Sequence, residues 1–196
     1  MNAILHPTLI SALENVPRIP CVNGTPDSVG RWAEDPNDQG AKEIVATEQG
    51  QFVLSWMFSG SPYLTMCSLQ ERGFLVQCFL EGTDTVFERL LDEMIHLIPG
   101  TSETFDFNRL NAELRRTRRR VSLLIAFAEV TGVWDTQQAA IAQSRFADHA
   151  VALTINGLLL EAHKVGEIKL EKSDSPGDGS GLIVLALGKL GGYELN

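Results

Sequence analysis

Cysteine is scarce in this sequence: three residues in 196, Cys21, Cys67 and Cys78, an odd number with no Cys-x-x-Cys spacing. That pattern excludes a disulfide framework and a zinc finger, and it suits reduced thiols in a cytoplasmic protein. Positive charge is short as well. Sixteen Lys and Arg stand against twenty-five Asp and Glu, a formal net charge of −9. This balance argues against general nucleic-acid affinity, because phosphate backbones reward basic surfaces. No apolar run approaches the length of a membrane span, and Met1 is not followed by a basic segment and an apolar one, so neither a membrane anchor nor a signal peptide is expected. What is present, 44% hydrophobic and 21% charged residues, describes a soluble globular chain long enough for one or two domains. There is no internal repeat.

Most of the chain reads as helix. Leu9, Ile10, Leu13 and Val16 carry a modest helical pattern that Pro17 and Pro20 end. A Pro-, Gly- and Asp-rich loop from Cys21 to Gly40 leaves room for one helical turn over Val29 to Ala33, with Trp32 pinning it to the core. The spacing predicts one helix from Ala41 to Phe58, weakened at Gly50. Ser61 caps the next, with Pro62 at its first position, where a missing N–H costs nothing. Gly73 to Gly82 reads as a short apolar helix. Thr83 or Asp84 caps another that runs to Ile98, stopped by Pro99-Gly100, with His96 facing solvent near its end.

Two long helices follow. The first, about Phe105 to Thr131, places Leu110, Leu114, Val121, Leu124, Ile125 and Ala128 on one stripe, and Leu123, Phe127 and Val130 add a second face. Gly132 stops it, and Asp135 or Thr136 caps a second helix reaching about Lys164, with Ala139, Ala142, Phe146, Ala150, Leu153, Gly157 and Leu160 inside. Arg145, Asp148 and His149 read there as an exposed charge network. Gly166 to Ser180 reads as a flexible connection. It lacks the spacing and closing glutamate of a calcium loop.

The one dense positive patch is Arg115, Arg116, Arg118, Arg119 and Arg120, on the flank and back of the first long helix. Three roles fit it: a solvated face with exchangeable ion pairs, a clamp bridging carboxylates between helices, and a phosphate or nucleic-acid contact.

The chain is organised around its last stretch. Six apolar residues, Leu182 to Leu187, read as a strand buried on both faces, and they run into Gly188, Lys189, Gly191 and Gly192. Glycines after such a strand let the backbone turn tightly and bring its N–H groups near a phosphate. The spacing excludes a P-loop, since Leu190 follows the lysine, and it lacks the opening pair of a dinucleotide fingerprint.

Leu185-Ala-Leu-Gly-Lys-Leu-Gly-Gly-Tyr-Glu-Leu-Asn196 resembles the signature of the glutamine synthetase adenylyltransferase / adenylyl-removing family, a branch of the nucleotidyltransferase superfamily. Ser61-Pro-Tyr-Leu64 and the Leu114-to-Arg120 run, with Glu129 beyond it, are similar to the family as well. The resemblance implies a mainly α chain: a helical N-terminal region over 1–165, a flexible connection over 166–180, and over 181–196 the first strand and glycine turn of a truncated α/β nucleotidyltransferase domain. It implies that Gly188, Lys189, Gly191, Gly192, Glu194 and Asn196 belong to a nucleotide- and phosphate-binding turn. In the family a Ser-Ser-Asp-x-Asp segment follows on the next strand and holds magnesium; no such aspartates follow here.

The implied activity is phosphorolytic removal of AMP from a tyrosine of glutamine synthetase, giving ADP, with the sister half of the family adding AMP from ATP. Glutamine synthetase, ATP, ADP and phosphate would be the partners, together with a nitrogen-signalling regulator. The chain alone is expected to be inactive, to bind no magnesium and to hold no complete catalytic set. Two other readings stand beside it: a non-catalytic helical module that docks on glutamine synthetase or on that regulator, and a nucleic-acid contact through Arg118, Arg119 and Arg120.

Overall fold

Side chains of Asp38, Thr47 and Ser61 cap three of the short helices in the N-terminal half of the chain. The computed structural model describes residues 5–17, 27–35, 38–97 and 106–195. It contains α1 (Pro7–Leu13), α2 (Asp27–Trp32), α3 (Gln39–Val45), α4 (Glu48–Gly60), α5 (Pro62–Gln70), α6 (Arg72–Glu81), α7 (Thr83–Ile95), α8 (Phe107–Val130), α9 (Thr136–Lys164) and the single turn α10 (Gly188–Gly191). The fold is mainly α, and no strand occurs among the described residues. Cys21, the Ile98 end of the seventh helix with its Pro99-Gly100 stop, Phe105 and Asn196 lie outside them.

Several caps are those the sequence predicts. Ser61 accepts from the Leu64 N–H at 3.3 Å, with Pro62 opening α5. Asp135 caps α9 through a reciprocal pair, its carboxylate accepting from the Gln138 N–H at 2.8 Å while the Gln138 side chain accepts from the Asp135 N–H at 2.9 Å.

Two expectations are corrected. The single helix over Ala41–Phe58 is two helices, because Thr47 turns out of helical geometry (φ −91°, ψ 146°) and caps α4 through the Gly50 N–H. The break swings α4 across the end of α3 so closely that a Cβ at Gly50 would lie 2.1 Å from the Ile44 carbonyl oxygen. Gly50 is therefore a packing requirement, not a weak spot inside a helix. Neither Thr83 nor Asp84 caps α7: the helix starts behind Gly82 (φ 87°), whose carbonyl accepts from the Val86 N–H. Asp84 instead receives the Trp134 indole N–H at 2.8 Å.

The chain divides into two compact units, Met1–Phe87 with Arg119–Ala139 and Glu88–Arg118 with Ala140–Asn196. The core of the first is an aromatic chain. Trp32 and Phe79 lie 6.5 Å apart between ring centroids, and Phe79 meets Phe127 edge-on at 4.7 Å. All three side chains are fully buried, and the Trp32 indole keeps its donor satisfied on the Ser68 carbonyl at 3.1 Å. Val53, Leu54, Met57 and Leu75 are buried in the same unit. Phe87 packs edge-on against Trp134 at 5.5 Å.

The second unit buries Leu90, Leu91 and Met94 of α7, Leu110 of α8, and Ala142, Leu153 and Leu160 of α9. Arg145 forks onto both oxygens of Glu88 at 2.5 and 2.8 Å. The stripe predicted for α9 is buried at Ala139, Ala142, Leu153, Gly157 and Leu160, and half-buried at Phe146 and Ala150. Among the described residues no helix is long and apolar enough to cross a membrane.

Candidate functional site

Residues 181–187 form neither helix nor strand in the second unit, are exposed, and lead into the glycine turn. Leu187 (φ −121°, ψ 162°) leads into α10, and Gly188 takes φ 61°, a left-handed conformation that glycine adopts without strain. The turn is closed from inside: the N–H groups of Gly192, Tyr193 and Glu194 donate to the carbonyls of Gly188, Leu190 and Lys189 at 3.0, 3.2 and 2.8 Å. Gly191 stands against the Ala186 backbone, where an added Cβ would come within 2.5 Å of the carbonyl oxygen.

Two of the glycines thus have local reasons to be glycine. Gly192 has none of that kind. Its φ is −88°, and an added Cβ would meet only ordinary contacts, the nearest at 3.5 Å. Gly188, Lys189, Gly191, Gly192 and Glu194 are brought together on one exposed turn, with Tyr193 at φ 56° between them. Asn196 lies outside the described residues.

Behind the turn is a groove of about 410 Å³ between α9 and the segment leading into the turn, lined by Val151, Ala152, Ile155 and Asn156 on one side and by Val184 to Leu187 with Leu190 on the other. Asp148 stands at it as well. Among the described residues no three His, Cys, Asp or Glu side chains stand together as a metal site would need. The residues at the turn, with Glu194 as their one carboxylate, do not fit magnesium by themselves.

In the first unit the structure shows a cluster that the sequence identifies only by half. Glu71, in the corner between α5 and α6, is buried at 6% exposure. Its two oxygens are divided: Oε1 accepts from Arg119 at 3.1 Å and Oε2 from Arg120 Nε at 2.8 Å. Arg120 also lies over the Phe74 ring, 5.2 Å from its centroid. Arg72, one residue past the corner, reaches Asp35 at 3.1 Å. Arg119 and Arg120 are therefore an interhelical clamp, one of the three roles open in the sequence. Arg115, Arg116 and Arg118 stay exposed. No sequence signal pointed to Glu71, which meets its partners across 48 and 49 residues.

The Arg145–Glu88 pair shapes local electrostatics. The Arg145 hydrogen bond holds the Glu88 carboxyl below its usual range; burial, the next largest effect, opposes it, and the charges of Arg145 and His149 add to the lowering. The Glu88 hydrogen bond raises the Arg145 guanidinium in turn. The His149 ring shares a hydrogen bond of 2.8 Å with the Arg145 carbonyl through Nδ1, one turn back along the helix.

Residues 55–196 match the model of the glutamate–ammonia ligase adenylyltransferase family. The chain belongs to this family. Among similar curated proteins, the bifunctional glutamine synthetase adenylyltransferase/adenylyl-removing enzyme of Bartonella quintana is 30% identical over 178 residues, 87% of this chain and 18% of that protein. The protein of that name from Agrobacterium fabrum is 32% identical over 140 residues, 71% of this chain and 14% of the relative. That from Mesorhizobium japonicum is 30% identical over 162 residues, 80% and 16%. The chain thus spans less than a fifth of the length of these relatives. No solved structure matches it.

Proposed function

We propose that this chain contributes the helical N-terminal region, and the opening strand and glycine turn, of the adenylyl-removing half of a glutamine synthetase adenylyltransferase. Its residues 1–165 form the helical part, 166–180 the connection, and 181–196 the start of the nucleotidyltransferase domain. The substrate of that half is adenylyl-tyrosine on glutamine synthetase. Phosphate attacks the phosphorus, the phosphorus–tyrosine oxygen bond breaks, and ADP and the free tyrosine are the products. The sister activity adds AMP from ATP. A nitrogen-signalling regulator is a further partner, and the cytoplasm is the site of action.

The observation that carries this reading is the glycine turn. Gly188 and Gly191 are fixed by the local backbone, whereas Gly192 is not. Close approach of a phosphate to the bare Cα of Gly192, whose own N–H is donated to the Gly188 carbonyl, supplies the reason for a glycine there. Lys189 adds positive charge beside it, and Glu194 and Asn196 continue toward where a metal-binding segment lies in the family. Magnesium, if held by that segment, would neutralise charge on the adenylyl group as it is transferred.

On this reading the 196-residue chain is expected not to turn over by itself. The test is ADP release from adenylylated glutamine synthetase in phosphate and magnesium. The reading predicts none from this chain; sustained turnover by it overturns the requirement for a second, acidic element.

A further inference from the structure

α5 and α6 meet at Glu71, whose backbone leaves helical geometry (φ −116°, ψ 39°) and whose side chain does not cap α6. The break frees groups on both sides of it. One turn back, the Ser68 carbonyl takes the Trp32 indole N–H. The N–H groups of Arg72, Gly73 and Phe74, the first turn of α6, donate to no backbone carbonyl among the described residues. Unpaired amides at the start of a ten-residue helix carry its partial positive charge and favour an anion. They open on space, since a Cβ added at Gly73 meets nothing within 4 Å.

The side chains around this helix end repeat the pattern. Arg72 uses Nη1 for Asp35, and its Nε is buried with no acceptor. Arg119 gives Nη2 to Glu71, and its Nε too is buried without an acceptor. Ser68 is fully buried and its hydroxyl has no partner. Buried donors without acceptors are costly, so a site that gathers several of them has a use for an acceptor from outside.

We propose that the α5–α6 corner binds a phosphate group, held by the first-turn amides of α6 and the Nε edge of Arg72, with Arg119 and Ser68 beside them. The donors set the class of ligand. They come from a helix end, two guanidinium groups and a hydroxyl, and a tetrahedral oxyanion offers oxygens in as many directions. A carboxylate presents two oxygens in one plane, and Glu71 already fills that role for Arg119 and Arg120. These residues belong to the first compact unit and the glycine turn to the second, and nothing in the inference depends on the adenylyl chemistry.

The test is a titration of the full chain with inorganic phosphate, followed by NMR at the Gly73 and Phe74 amides and at the Nε–H groups of Arg72 and Arg119. Sodium chloride at equal ionic strength is the reference. These signals should move together along one saturating curve in phosphate and stay in place in chloride. A parallel titration with glycerol phosphate separates a free ion from a phosphate carried on a larger molecule, by which of the two binds more tightly. Arg72→Gln should weaken binding roughly tenfold, the loss of one charge-assisted contact. Gly73→Asp places a carboxylate in the first turn, where it supports the helix and repels the ligand. It should abolish the response at unchanged helical circular dichroism. Signals that stay still in both phosphates overturn the inference, as do signals that chloride moves as far. So does a response that survives Arg72→Gln and Gly73→Asp in folded chains, or one confined to the amides of the glycine turn in the same spectra.

Discussion

Arg120 donates its Nε–H to Glu71 Oε2 at 2.8 Å, joining α8 to the corner between α5 and α6. The second oxygen is held by Arg119. Glu71 therefore sits with one negative charge between two positive ones, and its loss removes the carboxylate that both guanidinium groups share. Glu71→Ala is expected to cost about 2–3 kcal/mol, below the ~3–5 of a fully buried pair because Arg119 and Arg120 keep partial contact with water. Arg119→Ala should cost less, since Arg120 still neutralises the carboxylate. Urea midpoints of the two variants, read at unchanged m, check the order.

A second expectation concerns the glycine turn. Gly191→Ala forces a Cβ against the Ala186 carbonyl, and Gly188→Ala imposes a left-handed conformation costing about 1–2 kcal/mol. Both should open the turn locally, seen as faster exchange of the Glu194 amide, whose bond to the Lys189 carbonyl closes it. Gly192→Ala should leave that amide unchanged. An equal effect of all three would remove the reason to single out Gly192 as the phosphate-facing position.

The Glu88 carboxyl is depressed in the folded chain, chiefly by its hydrogen bond to Arg145. A depressed acid stabilises the fold above its unfolded pKa, and that contribution disappears as pH falls through the lower folded value. Glu88→Gln should therefore reduce stability slightly at neutral pH and lose its difference from the parent in acid. Both side chains are substantially exposed, so the effect stays small. Thermal midpoints across the acid range should show the two curves converging below the ordinary carboxylate range.

Trp134 ties its indole N–H to Asp84 while its ring packs edge-on against Phe87. Trp134→Phe keeps most of the packing and removes the bond. A loss of about 1–2 kcal/mol is expected, measured by denaturation, and Asp84→Asn beside the native Trp134 should cost less, because its amide oxygen still accepts the indole N–H.

Legibility in the sequence followed the range of the interaction. α5 was legible from Ser61 and Pro62, which act within one turn, and α8 and α9 from apolar periodicity sustained over more than twenty residues each. The α3–α4 break was not, because Thr47 reads equally as a helical residue until Gly50 is seen against the Ile44 carbonyl. The basic run in α8 was visible, but its partition into two clamping and three exposed arginines depends on Glu71, which no local pattern marks. The glycine turn was located by spacing and resemblance. Which glycine answers to local backbone and which does not became visible only with the backbone angles.

The central claim is that residues 181–195 open a phosphate-gripping turn used in removing, not adding, the adenylyl group. It is tested most directly in the Bartonella quintana relative, by replacing the 178-residue stretch that matches this chain with this chain's own residues and introducing Gly192→Asp. The account predicts that the folded chimaera still removes AMP from glutamine synthetase, that Gly192→Asp abolishes removal at unchanged thermal stability, and that AMP addition survives. A folded chimaera whose removal activity is indifferent to Gly192→Asp, or whose addition activity is the one lost, would contradict it.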